Sequence, residues 1–404
     1  MLAKSRRASG VRALPMRRSL PLFLQAGLIL SVIGAVLFLL PRLEASETKV
    51  LTLSTRNQLS QKVGQLIMVG FSGTNSSSPG FRRLLDDLEQ GVIGGVLFLA
   101  ENITGRPELE TMVKQLRHCA CSTIPLIAID EEGGTVERLG EEFGFQNIQS
   151  AAEIGSGTEE NARRQYKLLA QKLFDIGFNI NFAPVVDLNK NPDNPIIGAR
   201  GRSFSRDPLM VAKFARIFIA EHHAFGILTT LKHFPGHGSS STDTHLAATD
   251  VGSTWSEDEL VPYRRLLAAR VVDAIMVGHL INEREWGGVA TQEGSTAISR
   301  LLRRALKFDG AVISDDLTMD AVKLSKDNFA AVLGSSLKAG IDLPLVAHPV
   351  KEEGEGDGQF LNSSTIDAIA SGKISLQSVE DSWRRVMLLK AKLRKYRSFI
   401  LPRN

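Results

Sequence analysis

The 404-residue chain concentrates its reactive side chains in three short stretches. The densest is Lys232-His233-Phe234-Pro235-Gly236-His237-Gly238, followed closely by Asp243-Thr244-His245. A cation beside an imidazole suits recognition of hydroxyl groups. Pro235, Gly236 and Gly238 force an irregular backbone, and His237 can pin the resulting loop. Asp243 and His245 lie two apart. On a turning loop the carboxylate can hold one imidazole nitrogen while the other faces a substrate, which suits general acid/base work. Two other readings of the same residues stay open. His233, His237, Asp243 and His245 are all possible metal ligands, although Lys232 would repel a cation, and all of the histidines can be structural loop residues.

The second stretch is Val312-Ile313-Ser314-Asp315-Asp316-Leu317-Thr318-Met319. Asp315 ends an apolar run, and an ionised carboxylate there can attack an anomeric carbon to form a covalent glycosyl intermediate. Asp316 better suits capping of the following helix; capping by both is the bland alternative. The third stretch is Ile129-Asp130-Glu131-Glu132-Gly133-Gly134, with Arg138 beyond. Asp130 can hold two sugar hydroxyls. Glu131 and Glu132 keep a carboxylate acid/base in play.

Apolar runs at 64–71, 91–100, 125–130, 179–187, 226–233, 273–280, 310–315 and 341–347 must position these groups. Between them lie amphipathic stretches at 82–90, 107–118, 159–176, 208–225, 256–270, 299–307 and 328–339. Eight apolar strands with crossover helices predict an α/β fold, a (β/α)8 TIM-type barrel forming a single catalytic domain over 59–397. An open doubly wound sheet is the competitor. Asp130, Asp187, Lys232-His233, His279 and Asp315 fall at or near the ends of the third to seventh runs. A parallel barrel gathers its functional loops at the C-terminal strand ends, so these polar ends in register predict one convergent site.

The formal charge is +4 and the pI about 9.0. Six of the basic residues, Lys4, Arg6, Arg7, Arg12, Arg17 and Arg18, precede the first apolar run, and residues 1–40 hold no acid. Without them the remainder carries roughly −2, so bulk charge gives no case for nucleic acid as a partner. Arg384, Arg385, Lys390, Lys392, Arg394, Lys395 and Arg397 read as the solvated face of a C-terminal helix. Cys119 and Cys121 lie one residue apart. So short a loop strains a disulfide, and they read as buried or incidental thiols.

Residues 22–40 are apolar apart from Gln25 and Ser31. As a helix they would span about 29 Å, close to a bilayer core. That is longer than the apolar core of about 7–15 residues in a cleavable signal. An uncleaved transmembrane anchor is predicted, with a basic cytoplasmic flank at 1–21, a linker at 41–58 and the catalytic domain on the outer, periplasmic or extracellular side. Cleavage near Ala45 as a signal segment is the alternative.

Together these stretches resemble glycoside hydrolase family 3, in its single-domain β-N-acetylglucosaminidase branch. The resemblance covers about 59–347. It takes in Val63-Gly64-Gln65-Leu66, Asn181-Phe182-Ala183-Pro184-Val185-Val186-Asp187 and Arg202-Ser203-Phe204 as well. It implies a retaining β-N-acetylhexosaminidase that hydrolyses terminal β-linked N-acetylglucosamine, with peptidoglycan fragments as the expected source. Asp315 is implied as nucleophile, and His245, oriented by Asp243, as general acid/base. Asp130, Arg138, Arg202, Lys232 and His233 are implied to hold the sugar. Neither a metal nor another cofactor is expected, and the chain is expected to act as a monomer. The rivals are an exported β-glucosidase or β-xylosidase of the same family, and a catalytically idle sugar-binding protein. Some positions depart from the family pattern. Ser239 stands where Asp is usual, Thr135 replaces an Arg, and Ala247-Ala248-Thr249 lacks Leu-Pro. Two extra residues before Ser203 leave Arg200 and Arg202 competing for one role.

Overall fold

Strands of a parallel barrel are buried on both faces, so they read as continuous apolar runs rather than alternating ones. Each of the eight expected runs matches one such strand. The computed structural model describes residues 53–243, 249–322, 328–348 and 357–400. Its barrel strands are β1 (Met68–Val69), β2 (Gly95–Phe98), β3 (Leu126–Ile129), β4 (Ile180–Asn181) and β5 (Leu228–Phe234). Then, after the short β6 (Thr249–Asp250), come β7 (Ala274–Val277), the short β8 (Leu280–Ile281), β9 (Ala311–Asp316) and β10 (Leu343–Val346). β6 and β8 pair with each other. The other eight close in the order β1-β2-β3-β4-β5-β7-β9-β10, each pair parallel, with β10 returning to β1. The sheet is closed, which removes the doubly wound competitor.

Helices Pro79–Glu89, Arg106–Arg117, Glu159–Ile176, Pro208–Ala224, Val261–Ala268 and Phe329–Ala339 supply crossovers. Their limits follow from local chemistry. Thr158 accepts from the Asn161 N–H at the start of Glu159–Ile176, and Gly177, at φ 111°, ends it in a conformation other residues resist. That helix buries Ala162, Tyr166, Leu169, Leu173 and Ile176, one stripe at helical spacing. Each fully buried aliphatic side chain on such a stripe contributes about 1.5–3 kcal/mol. The segment Ala297–Ala305 is wound more widely, with the Leu306 N–H reaching the Leu301 carbonyl.

The C-terminal helix Leu376–Ile400 corrects one expectation. Its basic residues are not simply a solvated face. Asp342, just before β10, is wholly buried and takes Arg303 at 2.6 Å, Arg385 at 3.1 Å and Ser382 Oγ at 2.8 Å. Asp273, just before β7, takes Lys392 at 3.1 Å and His223 at 2.6 Å. Acids buried at the entrances of strands need counter-charges, and this helix supplies several of them. Cys119 and Cys121 are joined in a disulfide, with Cα atoms 5.2 Å apart. That separation lies within the range a bridge accepts, so the thiol reading is set aside.

Among the described residues no helix is long and apolar enough to cross a membrane. The run at 22–40 lies outside them.

Lys390 gives the fold a pH signature. Its amine is fully buried against Gln65 Oε1 at 2.6 Å and the Gly94 carbonyl at 2.8 Å, and burial pushes its pKa down to about 7. The unfolded chain holds a proton there up to the ordinary value of 10.5. The native state therefore loses stability as pH falls from above 10.5 towards 7, by up to about 1.4 kcal/mol per unit, and no further below. Lys390→Met should gain on the wild type as pH is lowered from 10 to 7, measured as the difference in Tm. A difference that does not change with pH would refute this.

Candidate active site

The polar strand ends converge on one cavity of about 350 Å3 at the C-terminal rim of the barrel. Asp130, Arg138, Arg202, Lys232, His233 and Asp315 all line it. Its floor is a charge cluster. Lys232 Nζ bridges Asp130 Oδ1 at 2.6 Å and Glu132 Oε1 at 2.7 Å. Arg202 grips Glu132 with two parallel bonds, Nε to Oε2 at 2.9 Å and Nη2 to Oε1 at 2.8 Å. Its third nitrogen, Nη1, donates to the Ile196 carbonyl at 2.8 Å. Two cations and two carboxylates leave the cluster neutral, which is what burial of charge demands. Burial alone would raise the Glu132 pKa, but the charges of Arg202 and Lys232 and their hydrogen bonds outweigh it. Its carboxyl is held well below the usual range. Burial likewise opposes the Lys232 charge, but Asp130 and Glu132 overcome it and raise its pKa.

Neighbouring carboxylates have different fates here. Glu131 turns away from the cavity to Lys172 at 2.6 Å, with its other oxygen on the Arg138 N–H at 2.6 Å. Burial outweighs Lys172 and raises its pKa. Neither glutamate is poised as an acid/base. Glu132 is ionised and gripped, and Glu131 is closed off beneath Lys172.

His233 is held by the buried Asp187. Its Nδ1 donates to Asp187 Oδ2 at 2.7 Å, and its backbone N–H and that of His237 also reach the carboxylate. Asp187 is wholly buried. Burial would raise its pKa, but His233 and these hydrogen bonds lower it. This tie fixes the imidazole tautomer and turns Nε2 away from the carboxylate. The loop that follows is compressed. Gly238 passes so close to Leu188 that a Cβ would sit 1.7 Å from its carbonyl oxygen. Gly236, at φ +125°, packs against Glu259. His237 is locked by Ser240 Oγ at 2.8 Å, and burial pushes its pKa down to about 4.

Asp315 and Asp316 divide their tasks. Asp315 is half-buried in the cavity wall, and its Oδ1 accepts the Asp316 N–H at 2.9 Å. Asp316 instead accepts from Thr318 N–H and Oγ1 at 3.0 and 2.5 Å and from the Ala347 N–H at 2.9 Å. It caps a turn and ties that turn to the end of β10. The long helix that follows begins only at Phe329. Arg200 lines the mouth but is exposed, with Nε on the Pro195 carbonyl. Arg202 is the deep one, so the two arginines have separate positions. Asp243 is half-buried outside the described cavity lining. His245 lies outside the described residues.

Asp187 was expected at the convergent strand ends and Glu132 as a possible acid/base, but their roles as the mount of His233 and the partner of Arg202 and Lys232 were not foreseen. Glu101 and His348, at the cavity mouth, carried no sequence signal. A wider groove of about 850 Å3 lies between outer helices, lined by Arg163, Lys213, Arg216 and Arg265. It gathers no strand-end residues.

A parallel barrel with a carboxylate and a neutralised charge cluster at its C-terminal rim has the design of a sugar-processing enzyme. Residues 58–389 match the model of the glycosyl hydrolase family 3 N-terminal domain. The chain belongs to glycosyl hydrolase family 3, in its β-N-acetylglucosaminidase branch, and is a glycoside hydrolase. A protein named beta-hexosaminidase from Xylella fastidiosa strain M23 is 34% identical over 297 residues, covering 70% of this chain and 84% of its own. The structure of a family 3 beta-N-acetylglucosaminidase from Paenibacillus sp. FPU-7 superposes with a TM-score of 0.72 at 31% identity. It covers 83% of this chain, which spans only 62% of that one. A beta-N-acetylhexosaminidase from Beutenbergia cavernae superposes at 0.70 with 25% identity, over 82% of this chain and 98% of the other.

The cluster makes a direct prediction. Glu132→Gln leaves two buried cations facing a neutral amide and should cost about 3–5 kcal/mol at pH 7, read from the denaturant midpoint. Adding Arg202→Met should recover part of the loss. Because the folded pKa of Glu132 is depressed, its contribution is complete above the ordinary value of 4.5 and is lost as pH falls towards the folded value. An unchanged midpoint in the single variant would dismiss the cluster as a source of stability.

Proposed function

We propose that the chain is a retaining β-N-acetylhexosaminidase that removes terminal β-linked N-acetylglucosamine, with Asp315 as nucleophile and the Asp243–His245 pair as acid/base. The observation that carries this reading is the placement of Asp315 in the same cavity as the Asp130–Lys232–Glu132–Arg202 cluster. Asp130 keeps 21% of its side chain exposed while Oδ1 takes Lys232. It can thus accept sugar hydroxyls without leaving the cluster. The names of the relatives support the hexosaminidase specificity.

In the first step Asp315 attacks the anomeric carbon, the glycosidic bond breaks, and His245 gives its proton to the departing oxygen. In the second, His245 takes a proton from water, whose oxygen displaces Asp315. Two inversions give net retention. Asp243 would fix the tautomer of His245 and stabilise the imidazolium.

Aryl β-glycosides differing only at the 2-position test the specificity: the 2-acetamido substrate should be favoured by orders of magnitude over the glucoside and xyloside. Asp315→Asn should lower turnover by several orders of magnitude yet still bind N-acetylglucosamine. His245→Ala should cripple poor leaving groups and spare activated aryl ones, with the glycosyl-enzyme accumulating. Retained activity in Asp315→Asn, together with its loss in Asp316→Asn, would move the nucleophile by one residue.

The run at 22–40 and its arginine-rich flank support a membrane anchor with the barrel on the outer side, where peptidoglycan fragments would be the source of substrate. The full chain should sediment with membranes and release N-acetylglucosamine from a muropeptide digest. Recovery as soluble cytosolic protein with its N-terminus intact would count against the anchor.

A further inference from the structure

His279 is one of the polar strand-end residues in register, yet it is not among the side chains lining the cavity. It is wholly buried just beyond β7. Its Nε2 lies 2.9 Å from the carbonyl oxygen of Asp316, and its Nδ1 lies 2.7 Å from Thr291 Oγ1. A carbonyl only accepts, so Nε2 carries the hydrogen. Nδ1 is then left to the Thr291 hydroxyl.

Residue 316 is held on every side by these contacts. His279 holds its carbonyl at 2.9 Å, together with the Met319 N–H at 3.1 Å. Thr318 and Ala347 hold its carboxylate, joined at the mouth by His348 Nδ1 at 3.1 Å. What remains is its N–H, which donates to Asp315 Oδ1 at 2.9 Å. That N–H is one of the contacts that orient the Asp315 carboxylate, and it can move only if residue 316 moves. Attack on an anomeric carbon tolerates little displacement: an error near 1 Å costs about 10²-fold in rate.

We propose that His279, with Thr291 fixing its tautomer, is a positioning residue that orients the Asp315 carboxylate through the backbone of Asp316. This rests on Asp315 as nucleophile. Its effect falls on chemistry and not on sugar binding, because Asp130, Lys232 and Arg202 are held by a separate set of contacts.

The test compares His279→Asn, His279→Gln and Thr291→Val in the full chain. Glutamine can place its amide nitrogen near the position of Nε2 and donate to the Asp316 carbonyl; asparagine is too short. The rate of glycosyl-enzyme formation is read with an activated aryl β-N-acetylglucosaminide, and sugar affinity by calorimetry with N-acetylglucosamine. His279→Asn should lose about 10²-fold in that rate, with affinity within about threefold of wild type. Glutamine should restore most of the rate. Thr291→Val, the milder change, should shift the same parameter in the same direction, and it decides the matter if His279→Asn does not fold. Folded variants with unchanged rates, or with equal losses in rate and affinity, would overturn the proposal. Asp315→Asn is run beside them: if it stays active, the nucleophile reading itself has failed, whatever the His279 variants do.

Discussion

A cavity floor that packs two buried cations against one buried and one half-buried carboxylate must balance them, and the rest of this site is arranged around that balance. Glu132 alone would be driven neutral by burial; Arg202 and Lys232 keep it charged. Lys232 alone would be driven to lose its proton; Asp130 and Glu132 prevent it. Each member is costly by itself and tolerable in company. The partners come from two strand ends and one loop, so the cluster also measures whether the barrel has closed in register. A shift of one residue in β3 would bring Glu131 to Arg202 in place of Glu132.

The barrel was legible in the sequence because its strands are buried on both faces and cannot hide in an alternating pattern. Six of the eight apolar runs contain their strand whole, and β5 and β9 extend one residue beyond theirs. The convergence of Asp130, Lys232, His233 and Asp315 was legible for a related reason, since strand ends on one rim must meet. Direction was not legible. Glu131 and Glu132 are adjacent and chemically alike, and only the course of the chain beyond β3 sends one to Lys172 and the other to Arg202. Arg200 and Arg202 were equally ambiguous until the loop placed one at the mouth and the other in the floor. The basic C-terminal helix was misread because its partners, Asp273 and Asp342, lie far away in sequence at the entrances of strands. Long-range pairing of that kind leaves no periodic trace.

The Asp315–Asp316 pair shows how two like residues can be given different work without a difference in charge. Asp316 spends its carboxylate on Thr318 and on the Ala347 N–H at the end of β10. Its own N–H is then available to a neighbour that the fold leaves half-exposed in the cavity. The Asp316 carboxylate thus serves as a rigid mount for the neighbour proposed as nucleophile. Asp187 plays the corresponding part for His233, holding Nδ1 so that only the other ring nitrogen remains to face outward.

This rigid floor also bears on the choice of acid/base. A carboxylic acid that stays protonated near neutral pH must be desolvated or set beside a like charge. The buried carboxylates of the cluster are already committed to cations. A carboxylate on the loop beyond β5, where Thr242 is exposed and Asp243 only half-buried, would be ionised at pH 7. An imidazole needs no burial to titrate there, because its ordinary pKa is about 6.5. An imidazole steered by a carboxylate can therefore donate and accept a proton where an ionised carboxylate has none to give. That is the chemical case for the proposed Asp243–His245 pair, with the carboxylates of the barrel floor left to their cations.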